Sequence, residues 1–175
     1  MPKSTDVAIV GGGVIGCSIA YYLAREGIKS TLFEGRRIGS GASGATAGVV
    51  GPLWHIDPCA EATFALGLKS LTMFPDLAAE LREAGVDPEF RQSGILKVAL
   101  TPEHAITLER GLAWQGELGL GVTWLKREEV LDREPQLNPQ VLGGVYSPTE
   151  GHIRGQNHVD SLVHAATRRG ATLLE

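Results

Sequence analysis

The stretch DVAIVGGGVIGCSIAYYLAREGIKSTLFE, residues 6–34, restricts the fold more than any other part of the chain. Residues 7–24 carry no charge, a run close to the span of about 20 predominantly apolar residues that a bilayer requires. Gly11, Gly12, Gly13 and Gly16 interrupt that run, and each costs a helix about 1 kcal/mol relative to alanine. Three consecutive glycines read as a turn. A secretory signal fits no better, because Lys3 is offset by Asp6 and the apolar run leads directly into Ala-Arg-Glu-Gly instead of a small-residue cleavage site. Neither a membrane span nor an export segment is expected.

A nucleotide-binding turn accounts for every residue. Residues 6–10 form a short β-prone run, suited to a parallel strand buried on both faces. From Val14 the period changes: Ile15, Ile19 and Leu23 recur every fourth residue as a helical stripe, closed by Arg25, Glu26 and Gly27. A second strand over residues 30–33 ends in Glu34. Strand, turn, helix and strand thus follow in order, with Gly11, Gly13 and Gly16 at the G-x-G-x-x-G spacing.

In that arrangement Gly11 permits the turn, Gly13 lets a diphosphate approach the backbone, and Gly16 lets the helix lie close on the strand. The helix N-terminus offers unpaired N–H groups and partial positive charge to the diphosphate. Glu34, eighteen residues after Gly16, falls where a carboxylate accepts the hydroxyls of an adenosine ribose. Its charge opposes a 2′-phosphate and so disfavours NADP, and Arg36 and Arg37 read as solvated surface charges. NAD and FAD share all of these features. The next segment, GSGASGATAGVVGPLW, bears on the choice: from Gly39 to Gly48 it is dominated by Gly, Ala, Ser and Thr, which brings backbone close to a long flat ligand. The apolar Val49, Val50 and Leu53 that follow argue against a flexible linker.

These segments, with AGVDPEFRQSGILKVAL, WLKREEVLDREPQL and HAATRRGATLLE in the same order, resemble the D-amino acid oxidase superfamily of FAD-dependent enzymes, and within it the glycine oxidase branch linked to thiamine biosynthesis. The resemblance implies a Rossmann-like FAD-binding domain of βαβ type, formed by residues 1–50 with segments returning near 150–175. It also implies the beginning of an α+β substrate domain over 51–149. Val14 and Ile15 would lie against the FAD diphosphate, Glu34 and Gly35 at the ribose, and Ala42 and Ser43 on the diphosphate's other side. Ala47, Gly48 and Val49 would approach the flavin. The implied reaction is oxidation of the amine of a small amino acid to an imine, with oxygen as acceptor and hydrogen peroxide as product. The arginine and tyrosine that hold the substrate in this family would lie beyond residue 175, so the chain is expected to be an N-terminal portion, inactive alone. Where the family commonly carries an acidic residue and a proline after Gly-His-Ile, this chain has Arg154, Gly155, Gln156 and Asn157. An electron-transferring dehydrogenase and a non-catalytic dinucleotide-binding module are the alternative readings.

Beyond the glycine turn, helices are expected over residues 61–84 (kinked or split at Pro75), 102–118, 126–134 and 158–169. Strands are expected over 94–100, 122–125 and 141–146, with another starting after Gly170. The charge run KREEVLDRE reads as a solvated face. A net charge of −4 with both signs interspersed gives no basic stripe for nucleic acid. The two cysteines, Cys17 read as a small buried apolar residue and Cys59 in a loop, form no disulfide framework. A reducing, cytoplasmic setting and a possible homo-oligomer are expected. The five histidines lack metal-site spacing: His158 and His164, six residues apart, face different sides of one helix and read as surface or satisfied core residues. No metal is expected, and Ser43 in GASGA reads as a phosphate contact or structural hydroxyl, not a catalytic serine.

Overall fold

The computed structural model describes residues 4–54, 61–117 and 119–175. They divide into two compact units, one of residues 1–49, 73–90 and 153–175 and the other of residues 50–72 and 91–152. Cys59 lies outside the described residues, as does Leu118, the expected last residue of its helix.

The first unit is built on a parallel sheet in the order β1-β2-β8, comprising β1 (Val7–Val10), β2 (Ser30–Phe33) and β8 (Thr172–Leu174). Val7 pairs with Ser30, Val10 with Phe33 and Leu32 with Leu173. Parallel neighbours require a crossover, and helix α1 (Val14–Arg25) supplies it between β1 and β2. Gly27 in the left-handed region, φ +73°, ends the helix, with its N–H on the Ala24 carbonyl. Helix α5 (Gly155–Arg168) packs beside α1 and leads into β8.

Ile9 and Leu32 from the sheet meet Cys17, Ala20, Tyr21 and Ala24 of α1 and Val159, Leu162, Ala165 and Ala166 of α5, with Leu81 from the end of helix α2 (Glu61–Ala84). The α1 residues fall at i, i+3, i+4 and i+7, and their small members let the helix close on the sheet. The Ile15–Ile19–Leu23 stripe is therefore not the core face: Ile15 is 75% exposed and Ile19 44%. β1 also departs from burial on both faces. Ile9 is buried whereas Ala8 and Val10 are exposed.

Helix α5 starts at Gly155 and not at 158, since the His158 N–H reaches the Arg154 carbonyl at 2.9 Å and closes the first turn there. Helix α2 runs through Pro75 without a break, and the chain passes from the second unit to the first within it.

In the second unit, strands β4 (Ile95–Ala99), β6 (Gly143–Ser147) and β5 (Thr123–Lys126) form an antiparallel sheet in the order β4-β6-β5. Helix α3 (Pro102–Glu117) contributes Leu108 to a core with Leu53, Ala99, Val122 and Val145. Helix α4 (Arg127–Arg133) contributes Val130 to a second with Leu125 and Val141. The turn Pro52–Trp54 is pinned through Leu53: its N–H donates to Glu150 Oε1 at 2.6 Å, and its carbonyl accepts from Lys97 Nζ at 2.8 Å. Burial raises the Glu150 carboxyl and lowers the Lys97 ammonium relative to their ordinary values. The short strands β3 (Val49–Val50) and β7 (Gly151–His152) were not evident from the pattern, being too brief for an alternation to register.

Candidate dinucleotide site

The site lies in the first unit, where β1 gives way to α1. Gly11 takes φ +104°, closed to most side chains, and its N–H donates to the Phe33 carbonyl at 2.8 Å. A Cβ on Gly16 would stand 2.0 Å from the Gly11 carbonyl oxygen, so the helix reaches its position only with glycine there. Gly13 precedes the helix in extended conformation, and the first helical turn carries no acidic residue.

Glu34 is fixed on both carboxylate oxygens. Oε2 accepts the Gly12 N–H at 2.7 Å and Oε1 the Arg36 N–H at 2.8 Å. These bonds, the Gly12 bond foremost, hold its carboxyl below the usual carboxylate range. A carboxylate has about four lone-pair sites, so the group keeps room for a further donor. The Glu34 N–H is itself held by the Leu174 carbonyl at 2.8 Å, which places the acid at the C-terminal edge of the sheet. Gly35 beside it is exposed.

The small-residue tract folds back on this turn. The Gly39 N–H donates to the Gly12 carbonyl at 2.9 Å, and Ser43 Oγ accepts the Val14 N–H, also at 2.9 Å. The Ser43 hydroxyl hydrogen remains available to an anion. Ala42 and Ala47 are exposed, as is Val49. Gly48, at φ +75°, is fixed to the start of α5: its carbonyl accepts the Ile153 N–H at 2.8 Å, and a Cβ there would lie 1.9 Å from the Ile153 oxygen.

Direct contacts thus bring Gly11, Gly13, Val14, Gly16, Glu34 and Ser43 into one assembly. Ala47, Gly48 and Val49 form a second piece of the same tract, tied to Ile153. Ile15 projects from the first turn of α1 as an exposed apolar side chain. A helix start for a diphosphate, a positioned carboxylate for a ribose and exposed apolar side chains at Ile15 and Val49 fit the ADP portion of FAD and its approach to the flavin.

Sequence reasoning missed four participants. Gly12 is a packing glycine, since a Cβ there would meet Ile38 Cδ1 at 2.3 Å. The Ile38 peptide is held from both sides, its N–H by Glu175 Oε1 at 2.8 Å and its carbonyl by Gln156 Nε2 at 3.2 Å. Its place in the middle of three consecutive glycines was the available signal for Gly12. Nothing in the spacing pointed to Ile38, Gln156 or Glu175.

Among the described residues no three His, Cys, Asp or Glu side chains gather as metal ligands, and no helix is long and apolar enough to cross a membrane. His164 is satisfied, with Nε2 at 3.1 Å from the Ala84 carbonyl oxygen. His158 is not. It is buried with Nδ1 unpartnered, which corrects the expectation of a satisfied core histidine, and its ring lies against that of Phe74.

The chain is 38% identical over 177 residues to a glycine oxidase of Geobacillus kaustophilus, covering 100% of this chain and 47% of that protein. In three dimensions it matches the crystal structure of a glycine oxidase from Bacillus cereus with TM-score 0.90 at 36% identity, covering 98% of this chain and 46% of the other. It matches an L-proline dehydrogenase from P. horikoshii with TM-score 0.85 at 26% identity, covering 100% and 45%. The chain spans about half the length of the curated relatives it matches. Residues 6–175 match the DAO family, described as FAD dependent oxidoreductase, and with the glycine turn, the fixed Glu34 and the folded-back tract in place, the chain belongs to that family of FAD-dependent oxidoreductases.

Proposed function

We propose that this chain supplies the FAD-binding part of an enzyme that oxidises the amine of a small amino acid, such as glycine, sarcosine or a small D-amino acid, to an imine. The observation that carries the cofactor half of this reading is Glu34, held by the Gly12 and Arg36 N–H groups at the end of β2. The substrate half rests on similarity to glycine oxidases. FAD, when bound, supplies the two-electron acceptor for hydrogen leaving the α-carbon. The chain's own residues bind and orient it. Gly11, Gly13 and Gly16 shape the turn, and Val14, Ile15, Ala42 and Ser43 flank the diphosphate. Glu34 and Gly35 receive the ribose, and Ala47, Gly48 and Val49 lead toward the flavin.

Oxygen is the acceptor we propose, with hydrogen peroxide as product. The likeness to an L-proline dehydrogenase, and to a mouse mitochondrial sarcosine dehydrogenase at 28% identity, supports a second reading in which electrons pass to another acceptor. We place the protein in the cytoplasm, in the thiamine-linked glycine oxidase branch. FAD released by acid from the intact protein, together with oxygen consumption and peroxide release on glycine, tests the reading. A colourless protein that retains NAD overturns the cofactor assignment. Turnover only with an artificial dye acceptor moves the enzyme to the dehydrogenases, and L-proline turnover without glycine turnover changes the substrate class.

A further inference from the structure

We infer that Gln156, on the first turn of α5, is a positioning residue that sets the diphosphate-facing loop without touching the cofactor, an inference that rests on the FAD reading above. Its amide Nε2 donates to the Ile38 carbonyl at 3.2 Å and to Asp160 Oδ1 at 2.8 Å, one turn further along the same helix. The Asp160 bond fixes which way the amide faces.

The rest of the side chain fills space that two glycines leave open. A Cβ on Gly39 would lie 2.7 Å from Gln156 Oε1, and one on Gly44 would lie 2.5 Å from the same atom. The Gly44 N–H closes on the Gly39 carbonyl at 2.9 Å, so both glycines sit in one small turn wrapped over the amide. The Gly39 N–H in turn donates to the Gly12 carbonyl, and the Gly12 N–H donates to Glu34 Oε2. One side chain thereby connects to both ends of the ADP site, through Gly12 to the ribose carboxylate and through the 39–44 turn to Ser43 and the Val14 N–H. The neighbouring Gly155 is part of the same fit: a Cβ there would meet the Ser43 carbonyl oxygen at 2.5 Å and Thr46 Cγ2 at 2.4 Å, pushing the loop away from α5. The Gly155-Gln156 pair is in this chain a matched support for its own loop.

Two variants of the intact protein test this. Gln156→Ala removes the amide, and Gln156→Glu keeps the shape but sets an acceptor against the Ile38 carbonyl and the Asp160 carboxylate. Both are expected to speed FAD dissociation about tenfold, the scale of a lost hydrogen bond. Both are also expected to raise amide hydrogen exchange at Gly39 and Gly44 while protection through the middle of α5 is unchanged. FAD dissociation within about twofold of the unmutated protein in both variants overturns the inference. So does loss of protection along the whole of α5, which would mean that Gln156 stabilises the helix and not the loop. If the unmutated protein binds no FAD, the cofactor reading falls, and the exchange at Gly39 and Gly44 still decides whether Gln156 orders the loop.

Discussion

His158 gives the fold a defined weakness in acid. The residue is 7% exposed on α5, with its ring 5.7 Å from that of Phe74, which stacks on Phe90 at 5.3 Å. Nδ1 has no hydrogen-bond partner, so protonation would leave a buried charge with nothing to receive its N–H. Burial accordingly pushes its pKa from 6.5 down to about 4. The unfolded chain binds a proton near pH 6.5 and the folded chain does not, so between those values the unfolded state holds more protons and stability rises with pH. The contribution is complete above 6.5 and is lost as pH falls toward about 4. A shift from 6.5 to about 4, at about 1.4 kcal/mol per pKa unit, corresponds to about 3 kcal/mol of stability lost across that window. That is a sizeable part of the 5–15 kcal/mol typical of a domain.

The perturbation is His158→Phe, which keeps an aromatic ring beside Phe74 and removes the titrating nitrogen. Urea unfolding followed by far-ultraviolet circular dichroism at about pH 7 and about pH 4 should show the unmutated protein losing about 3 kcal/mol more than the variant. Taking the difference between the two proteins cancels the carboxylates that titrate in the same range. An NMR titration of the imidazole Cε1–H, assigned by its absence in the variant, gives the pKa directly. A His158 ring titrating near 6.5, or the same acid loss in both proteins, refutes the reasoning.

Glu34→Ala should weaken FAD binding about tenfold or more, since charge-assisted bonds to the ribose are lost, and an unchanged affinity measured by flavin fluorescence would place the ribose elsewhere. Gly16→Ala sets a Cβ 2.0 Å from the Gly11 oxygen, so it should destabilise the fold by about 1–3 kcal/mol and lower FAD occupancy, both checked by thermal unfolding of the purified protein. Cys17, buried with its thiol pushed up to about 12, should stay unmodified by an alkylating reagent until urea unfolds the protein, as read by peptide mass spectrometry.

The βαβ turn was legible because its signals are local: an apolar run, three glycines and a change of period fix strand, turn and helix within one stretch. β2 was placed at residues 30–33, as observed, and α1 ends where Gly27 closes it. The core face of α1 was not legible, because hydrophobicity favoured Ile15 and Ile19 whereas close packing on the sheet needed Cys17, Ala20 and Ala24. Ile15 and Ile19 face outward, whereas Gly16 lies against the Gly11 carbonyl oxygen and Tyr21 is the one large side chain on the inner face. The start of α5 was misplaced for a related reason. Gly155 and Asn157 are poor helix formers, and the segment is held in the helix by contacts no local pattern announces: Gln156 with Ile38, and Asn157 with Glu89. Partners 118 and 68 residues away leave no periodic trace.

The tract from Gly39 to Gly48 shows why small residues there serve the ligand indirectly. Its composition suggested backbone laid against a flat cofactor, yet several of its glycines face the protein's own backbone. Gly44 would strike the Gly39 oxygen and Gly48 the Ile153 oxygen, and Gly155 from the other side would strike the Ser43 oxygen. The missing side chains therefore let the loop fold onto itself and onto α5 before any ligand arrives. Three hydrogen bonds fix the result, donated by Gly39 to Gly12, by Val14 to Ser43 and by Ile153 to Gly48. Ordering one residue of backbone costs about 1–2 kcal/mol. A loop already ordered in the folded protein does not pay that again on binding, so its few contacts to a diphosphate appear as affinity. The side chains left exposed on the tract and just past it, Ser40, Ala42, Ala45, Thr46, Ala47 and Val49, are small or apolar. They present a low surface to a ligand while the glycines behind them hold it in place.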